Sequence, residues 1–187
     1  MPETTELIES PEKEVETVRL LFPSPIGDVG IELRDQVATE VAIAPQGKLR
    51  KSFTPFDKLE SSDFLDELFG HLSEYFAGAR PSMELEFDLT PSGVTGFARR
   101  VLKETAKIPY GKTRTYRRIA EAAGRPDAYR MVLAALSANP IPLIIPCHRV
   151  VTNKSGIGSW IGGKTSKRWL LTMEKEGAKA DLSRTFD

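Results

Sequence analysis

Near Pro91 the apolar pattern of this chain changes its period, and that change restricts the fold to a β-rich unit followed by a helical one. Before it, "VRLLF" (18–22), "VGIEL" (29–33) and "VATEVAIA" (37–44) read as strands, with Pro25-Ile26-Gly27-Asp28 as a hairpin-like turn between the first two. Residues 45–60 are polar and loop-like. From Ser62 to Phe76 the apolar residues Phe64, Leu65, Leu68, Phe69, Leu72 and Phe76 recur at helical spacing, with Ser61 or Ser62 as the cap. "MELEFDL" (83–89) alternates again, as a strand does.

After Pro91 the period is helical. Residues 93–107 form an amphipathic helix with Phe97, Val101 and Leu102 on its apolar face, and Pro109-Tyr110-Gly111 breaks it. "TYRRIAEAAG" (115–124) is a short helix with Gly124 as its C-terminal cap. Gly124-Arg125-Pro126-Asp127 leads into a second helix, "AYRMVLAALSA" (128–138). Helix, short glycine turn, helix is the helix-turn-helix pattern, although many helical hairpins of this kind never touch DNA. Asn139-Pro140-Ile141-Pro142 stops the second helix. Residues 165–176 form a last helix, closed by Gly177. The expected fold is α/β (α+β): a small mixed sheet with one helix at 18–91, then a mainly helical unit with the helix-turn-helix at 92–177. Residues 1–17, with six glutamates, read as a disordered acidic tail, and 178–187 as a C-terminal tail.

An apolar content of 40% with 28% charged residues suits a globular protein of this length, and no run has the length of a transmembrane helix. The acidic N-terminus lacks the apolar core of a secretory signal, which with one cysteine points to a reducing, cytoplasmic setting without membrane association. The net charge of zero conceals a split. Residues 1–98 hold 8 Lys+Arg against 19 Asp+Glu, and residues 99–187 hold 18 against 7. Either the second half meets a polyanion, nucleic acid first among them, or two faces of opposite sign attract each other.

The single cysteine lies in Ile145-Pro146-Cys147-His148-Arg149-Val150-Val151. One cysteine makes no internal disulfide and no zinc site built on several thiolates, so no metal is expected. It is either a small buried apolar group or a nucleophile. The imidazole and guanidinium that follow favour the thiolate, the reactive form.

"IPYGKTRTY" (108–116), "NPIPLIIPCHRVV" (139–151), "GIGSWIGG" (156–163) and "SKRWLLTMEKEG" (166–177) together resemble the O6-alkylguanine-DNA alkyltransferases, also called methylated-DNA–protein-cysteine methyltransferases. "LSEYFAGARPSMELEFDL" (72–89) is similar to the family's linker, so the resemblance runs from about residue 18 to 177. It implies direct reversal of DNA damage: the alkyl group on O6 of guanine moves to the protein's own cysteine, once per molecule, without a cofactor. By the family's pattern Cys147 is the nucleophile, His148 removes its proton through a water, and Glu174 orients the histidine. The partner implied is double-stranded DNA containing O6-alkylguanine, met by a monomer from the minor groove with the target base flipped out. Arg130 then fills the vacated stack and Tyr116 rotates the phosphate. Arg117, Arg125, Ala135 and Asn153 fall where the family touches DNA. Asn139 joins the recognition helix to the active-site turn. Pro142, Arg149, Ile157, Gly158, Ser159, Trp160 and Gly162 match the substrate pocket.

Three departures matter. Family members usually carry tyrosine at Trp160, and an indole offers one N–H and no phenolic proton, which leaves leaving-group stabilisation to Tyr116 or backbone N–H groups. The recognition helix is heavier than usual at Tyr129, Met131 and Leu133. A cysteine-based zinc site, present in some members' N-terminal domains, has no counterpart in this chain. Two other readings remain. A lesion-binding protein without transfer would keep the DNA-binding parts, though such relatives usually lack the cysteine. A thiol hydrolase would turn over many times and would leave the helix-turn-helix unexplained.

Overall fold

A computed structural model of the chain describes residues 15–79, 83, 85–152 and 156–184. Strands β1 (Thr17–Ser24), β2 (Gly27–Arg34) and β3 (Val37–Ala44) form an antiparallel meander, with the short β4 (Thr54–Pro55) parallel to β1 in the order β3-β2-β1-β4. Pairing of Ser24 with Gly27 leaves a two-residue turn, Pro25-Ile26. Asp35 and Gln36 both have positive φ, 47° and 68°, and make the second hairpin a two-residue turn of the primed kind that suits twisted strands. Helix α1 (Asp63–Phe76) starts at Ser62, whose Oγ accepts the Leu65 N–H at 3.3 Å. Its Leu65, Leu68, Leu72, Tyr75 and Phe76 are buried, and Phe22 of the sheet lies between Phe69 and Phe76, with ring centroids 5.1 and 5.7 Å away.

Two expectations need correcting. Among the described residues of 83–89 there is no strand ladder, only one bridge, Ala38 to Phe87. Glu32 pairs with Glu40 and Leu33 with Ala38, so Thr39 is an extra residue that changes which β3 amides face outward. The next outward amide, Val41, donates to the Pro140 carbonyl at 2.8 Å, so pairing with β3 does not continue beyond Asp88, and β3 itself begins only at Val37. The second correction concerns Gly177. It does not end the last helix, α5, which runs from Lys164 to Arg184 and so enters the expected C-terminal tail. A Cβ at Gly177 would stand 2.5 Å from the Tyr110 hydroxyl and 2.8 Å from the Gly78 carbonyl oxygen, so this glycine permits close packing instead.

In the helical half, α2 (Gly96–Ala106) buries Phe97, Val101, Leu102 and Thr105. Helix α3 (Tyr116–Ala122) begins at Thr115, which accepts the Arg118 N–H, and ends before Gly124 at φ +81°. Helix α4 (Tyr129–Ser137) follows as the second member of the helix-turn-helix. The short strands β5 (Arg114–Thr115) and β6 (Val150–Val151) pair in parallel and bring the turn at Cys147–Arg149 beside the start of α3. One buried cluster runs through both halves, from Leu20 to Leu170. Among the described residues no helix is long and apolar enough to cross a membrane. The acidic segment expected at 1–17 lies outside the described residues up to position 14.

Candidate active site

The cysteine is delivered by a loop that one side chain holds in shape. After α4, the Asn139 amide nitrogen donates to the Ile145 carbonyl at 3.0 Å, and its oxygen accepts the Ile141 N–H at 3.2 Å. The loop between them turns tightly at Leu143, a non-glycine residue at φ +77°, and Pro142 bridges Ile145. A position of that kind costs about 1–3 kcal/mol and persists only where the surroundings enforce it. Asn139 and the buried isoleucines supply that enforcement. Residues 147–149 then make one turn of 3₁₀ helix with all three side chains buried.

Cys147 is 3% exposed. Its sulfur faces a cavity of about 150 Å³ lined by Tyr116, Leu133, Leu136, Ser159, Trp160 and Ile161 among others. The Trp160 indole N–H donates to Cys147 Sγ at 3.2 Å. Burial pushes the thiol pKa up, opposed by the Asn139 and Trp160 side chains and by the charge of Lys167. Lys167 itself is buried, donates to the Val150 and Ser159 carbonyls at 2.6 and 3.3 Å, and is brought down by burial to about 8.

Beneath the cysteine lies a charged network. His148 is fully buried and its Nε2 is 2.8 Å from Glu174 Oε1. Burial lowers the imidazole pKa despite the carboxylate, so the ring is neutral near pH 7. With Glu174 ionised, the proton sits on Nε2 and the lone pair on Nδ1. That Nδ1 is buried and has no hydrogen-bond partner among the described residues. Glu174 also accepts from Tyr75 Oη at 2.7 Å, from Arg149 Nε and Nη2 at 2.8 and 2.9 Å, and from the Gly111 N–H at 3.3 Å. Burial alone would raise its pKa. Hydrogen bonds and charge from His148 and Arg149 outweigh burial and hold it at about 2. Since His148 is neutral at pH 7, the guanidinium is the lasting counter-ion. Chemically, the site is a shielded thiol beside a free imidazole base whose other nitrogen is fixed by a permanent carboxylate.

The structure therefore brings Cys147, His148, Glu174, Asn139, Ser159, Trp160 and Tyr116 together. It places other expected residues elsewhere. Arg149 turns away from the cavity toward Glu174 and the Ile108 carbonyl. Ile157 lines a separate hollow with Arg168 and Leu171. Pro142 is buried in the loop. A Cβ at Gly158 would lie 3.2 Å from the Tyr116 hydroxyl, and one at Gly162 would strike the Trp160 ring at 2.2 Å, so both glycines back the wall without forming it. On the helix-turn-helix, Arg117, Arg125 and Arg130 are exposed, Arg117 pairing with Glu121 and Arg125 lying over the Phe97 ring. Ala135 is buried on the core face of α4, because its position in the helix points it inward beside Val132 and Leu136. Tyr129 and Met131 are 44% and 46% exposed, while Leu133 lines the cavity. Asn153 lies outside the described residues.

Sequence reasoning missed Tyr75, Lys167 and Tyr110. Lys167 had a signal, since positions 167, 170 and 174 share one helical face and a lysine in phase with Leu170 is out of place unless paired. Tyr75 had none, because it comes from α1, far away in sequence.

The chain is similar to known proteins over most of its length. The family model described as 6-O-methylguanine DNA methyltransferase, DNA binding domain, matches residues 96–176. A methylated-DNA–protein-cysteine methyltransferase of Methanosarcina barkeri is 36% identical over 159 residues, covering 85% of this chain and 98% of its own. The crystal structure of the Mycobacterium tuberculosis O6-methylguanine methyltransferase superposes with a TM-score of 0.73 at 34% identity, over 92% of this chain and all of that one. The same organism's protein in complex with DNA gives 0.72 at 37% identity, over 90% of this chain and 99% of that one.

Proposed function

Since this chain belongs to the methylated-DNA–protein-cysteine methyltransferase family, we propose that it repairs DNA by moving the alkyl group from O6 of guanine irreversibly onto its own Cys147. The carbon of such an ether is a poor electrophile, so the sulfur must be anionic and the guanine must leave as a neutral base. In the step the Sγ–C bond forms as the C–O6 bond breaks. The thiol proton passes through one water to His148 Nδ1, the departing guanine takes one proton from the Tyr116 hydroxyl, and loss of the imidazolium proton through water to Tyr116 restores both groups. Glu174 stabilises the imidazolium that forms. A thioether resists water, so each molecule acts once. The observation that carries this reading is the buried Nδ1, unpartnered among the described residues, on the residue that follows the only cysteine, with Nε2 tied to Glu174.

DNA binding and transfer are assigned to residues 92–177. Helix α4 enters the minor groove, Arg130 takes the place of the flipped base, and Tyr116, at the mouth of the cavity, turns the phosphate. Arg117 and Arg125 hold the backbone. Exposed Tyr129 and Met131 flank Arg130 and meet the groove with it. The test is intact-protein mass after mixing with a duplex carrying one O6-methylguanine. A gain of about 14 Da by standard chemistry, limited to one per chain and absent in Cys147→Ser, is expected for displacement at a thiolate. No gain, with tighter binding to the lesion duplex than to undamaged DNA, leaves a lesion-binding protein instead. Many products per chain would mean a hydrolase.

A further inference from the structure

We propose that the Trp160 indole N–H is a catalytic hydrogen-bond donor to the attacking sulfur, favouring the thiolate in a site that otherwise opposes it. The inference rests on the alkyl-transfer reading and deepens it. The indole does more than wall the cavity. Nε1 is aimed at Cys147 Sγ at 3.2 Å, the ring edge meets the His148 ring at 5.9 Å and 74°, and the missing side chain of Gly162 leaves the room the indole fills. Three contacts thus fix a donor on the reacting atom.

The physical need is plain. A sulfur that is 3% exposed has lost the water that would stabilise its anion. The groups facing it are few. Tyr116 from α3 is neutral, and its own pKa is raised by burial and by the charge of its neighbours. His148 is neutral and serves as the base. Lys167 from α5 supplies charge, but its Nζ is committed to the Val150 and Ser159 carbonyls. The Asn139 amide also favours the thiolate, while its nitrogen and oxygen bond the Ile145 carbonyl and the Ile141 N–H of its own loop. Glu174 and Arg149 offset each other one layer below. The indole N–H donates directly to the sulfur at 3.2 Å.

A donor to a thiolate has two opposing effects, and their sizes predict a signature. A hydrogen bond to an anion that shifts the thiol by about one pKa unit raises the thiolate fraction about tenfold at pH 7. The stabilised sulfur is a weaker nucleophile, by about threefold for a Brønsted slope of 0.4–0.5. The net gain is about threefold below the thiol pKa. Above it, where all the sulfur is ionised, the donor slows attack by about threefold.

Cys147 is the only thiol in the chain, so its alkylation by iodoacetamide from pH 6 to 10.5 reads this sulfur alone, without DNA. Trp160→Phe is expected to move the midpoint up by about one unit, lower the rate at pH 7 about threefold and raise the high-pH plateau about threefold. Single-turnover transfer from the O6-methylguanine duplex should show the same crossing. Replacing Trp160 by its isosteric benzothiophene analogue removes the N–H and keeps the shape, and should reproduce the shift if Trp160→Phe disturbs folding. An unmoved midpoint in both variants, or rates lowered equally at every pH, overturns the proposal and leaves Trp160 as packing. Failure of the wild-type chain to accept a methyl group would sink the transfer reading instead, and the iodoacetamide profile would still decide the donor.

Discussion

Glu174→Gln is the substitution for which the structure sets the sharpest magnitude. Five hydrogen bonds converge on this carboxylate, from Tyr75, His148, Gly111 and twice from Arg149, and every partner is a donor. Glutamine has nearly the same shape but offers one acceptor oxygen and two N–H donors. Its amide would confront donors, and the Arg149 guanidinium would lose its counter-ion in a buried site. Removing one partner of a buried ion pair costs about 3–5 kcal/mol. The carboxyl pKa gives an independent figure: a shift from 4.5 to about 2 is worth roughly 3 kcal/mol of native stability. The sign follows from a depressed acid. The stabilisation is complete above pH 4.5 and is lost as pH falls toward 2. Urea unfolding at pH 7 should therefore show a loss of about 3–5 kcal/mol, and thermal unfolding a drop of roughly 6–20 °C at 2–4 °C per kcal/mol. The variant should also lose the part of the acid dependence that lies between pH 4.5 and 2. Adding Arg149→Met should recover part of the loss, because no uncompensated cation remains. A deficit below about 1 kcal/mol in Glu174→Gln would refute the buried-anion account, since that is the worth of an exposed pair.

Two further predictions test packing and charge. Gly177→Ala lies inside α5, where alanine would gain about 1 kcal/mol in helix propensity. The new Cβ would meet the Gly78 backbone oxygen at 2.8 Å and the Tyr110 hydroxyl at 2.5 Å, so overpacking of about 1–3 kcal/mol should prevail and the urea midpoint should fall. A rise in the midpoint would mean that α5 can shift freely. Lys167 has a folded pKa of about 8 against 10.5 unfolded, so the native state sheds its proton first and gains up to about 3 kcal/mol relative to the unfolded chain as pH rises from 8 to 10.5. Lys167→Met should lack this gain when unfolding free energies at pH 7.5 and 10 are compared, and equal gains in both proteins would show that the lysine is not desolvated.

How far the sequence carried the fold depended on the range of the interactions. Strands β1 to β3, helix α1 and the helix-turn-helix were legible because apolar period, caps and turn residues are local: Ser62 and Thr115 accept the amides that a cap must accept, and Gly124 has the positive φ that a helix end favours. Residues 83–89 alternate as well as any strand, yet their pairing with β3 does not continue to Val41, which donates to Pro140, a partner no local pattern reveals. Gly177 looked like a stop because a glycine after a charged turn usually is one. Its actual role depends on Gly78 and Tyr110 across the fold. Within the site, a motif pointed to Cys147, His148 and Glu174, which the fold brings together, and Trp160 stood out only as a departure from it. That its N–H meets the sulfur is a matter of rotamer, which spacing does not encode.

The N-terminal half has a direct part in this chemistry. Its α1 sends Tyr75 to the same Glu174 oxygen that holds His148, at 2.7 and 2.8 Å respectively. Its β3 edge pins the loop that Asn139 shapes, through Val41 and Pro140. The imidazole and the thiol are thus each braced from outside the helical half, one through a carboxylate and the other through a strand edge. The sulfur, the imidazole and the indole are thereby aligned before any substrate enters the cavity. The cost is a buried network of four charged or polar side chains, Tyr75, His148, Arg149 and Glu174, with a buried Lys167 beside them and a residue at positive φ in the preceding loop. The packed sheet and α1 offset that cost. The acidic half therefore helps build the thiol site of the basic half, and the charge split along the sequence does not divide that site.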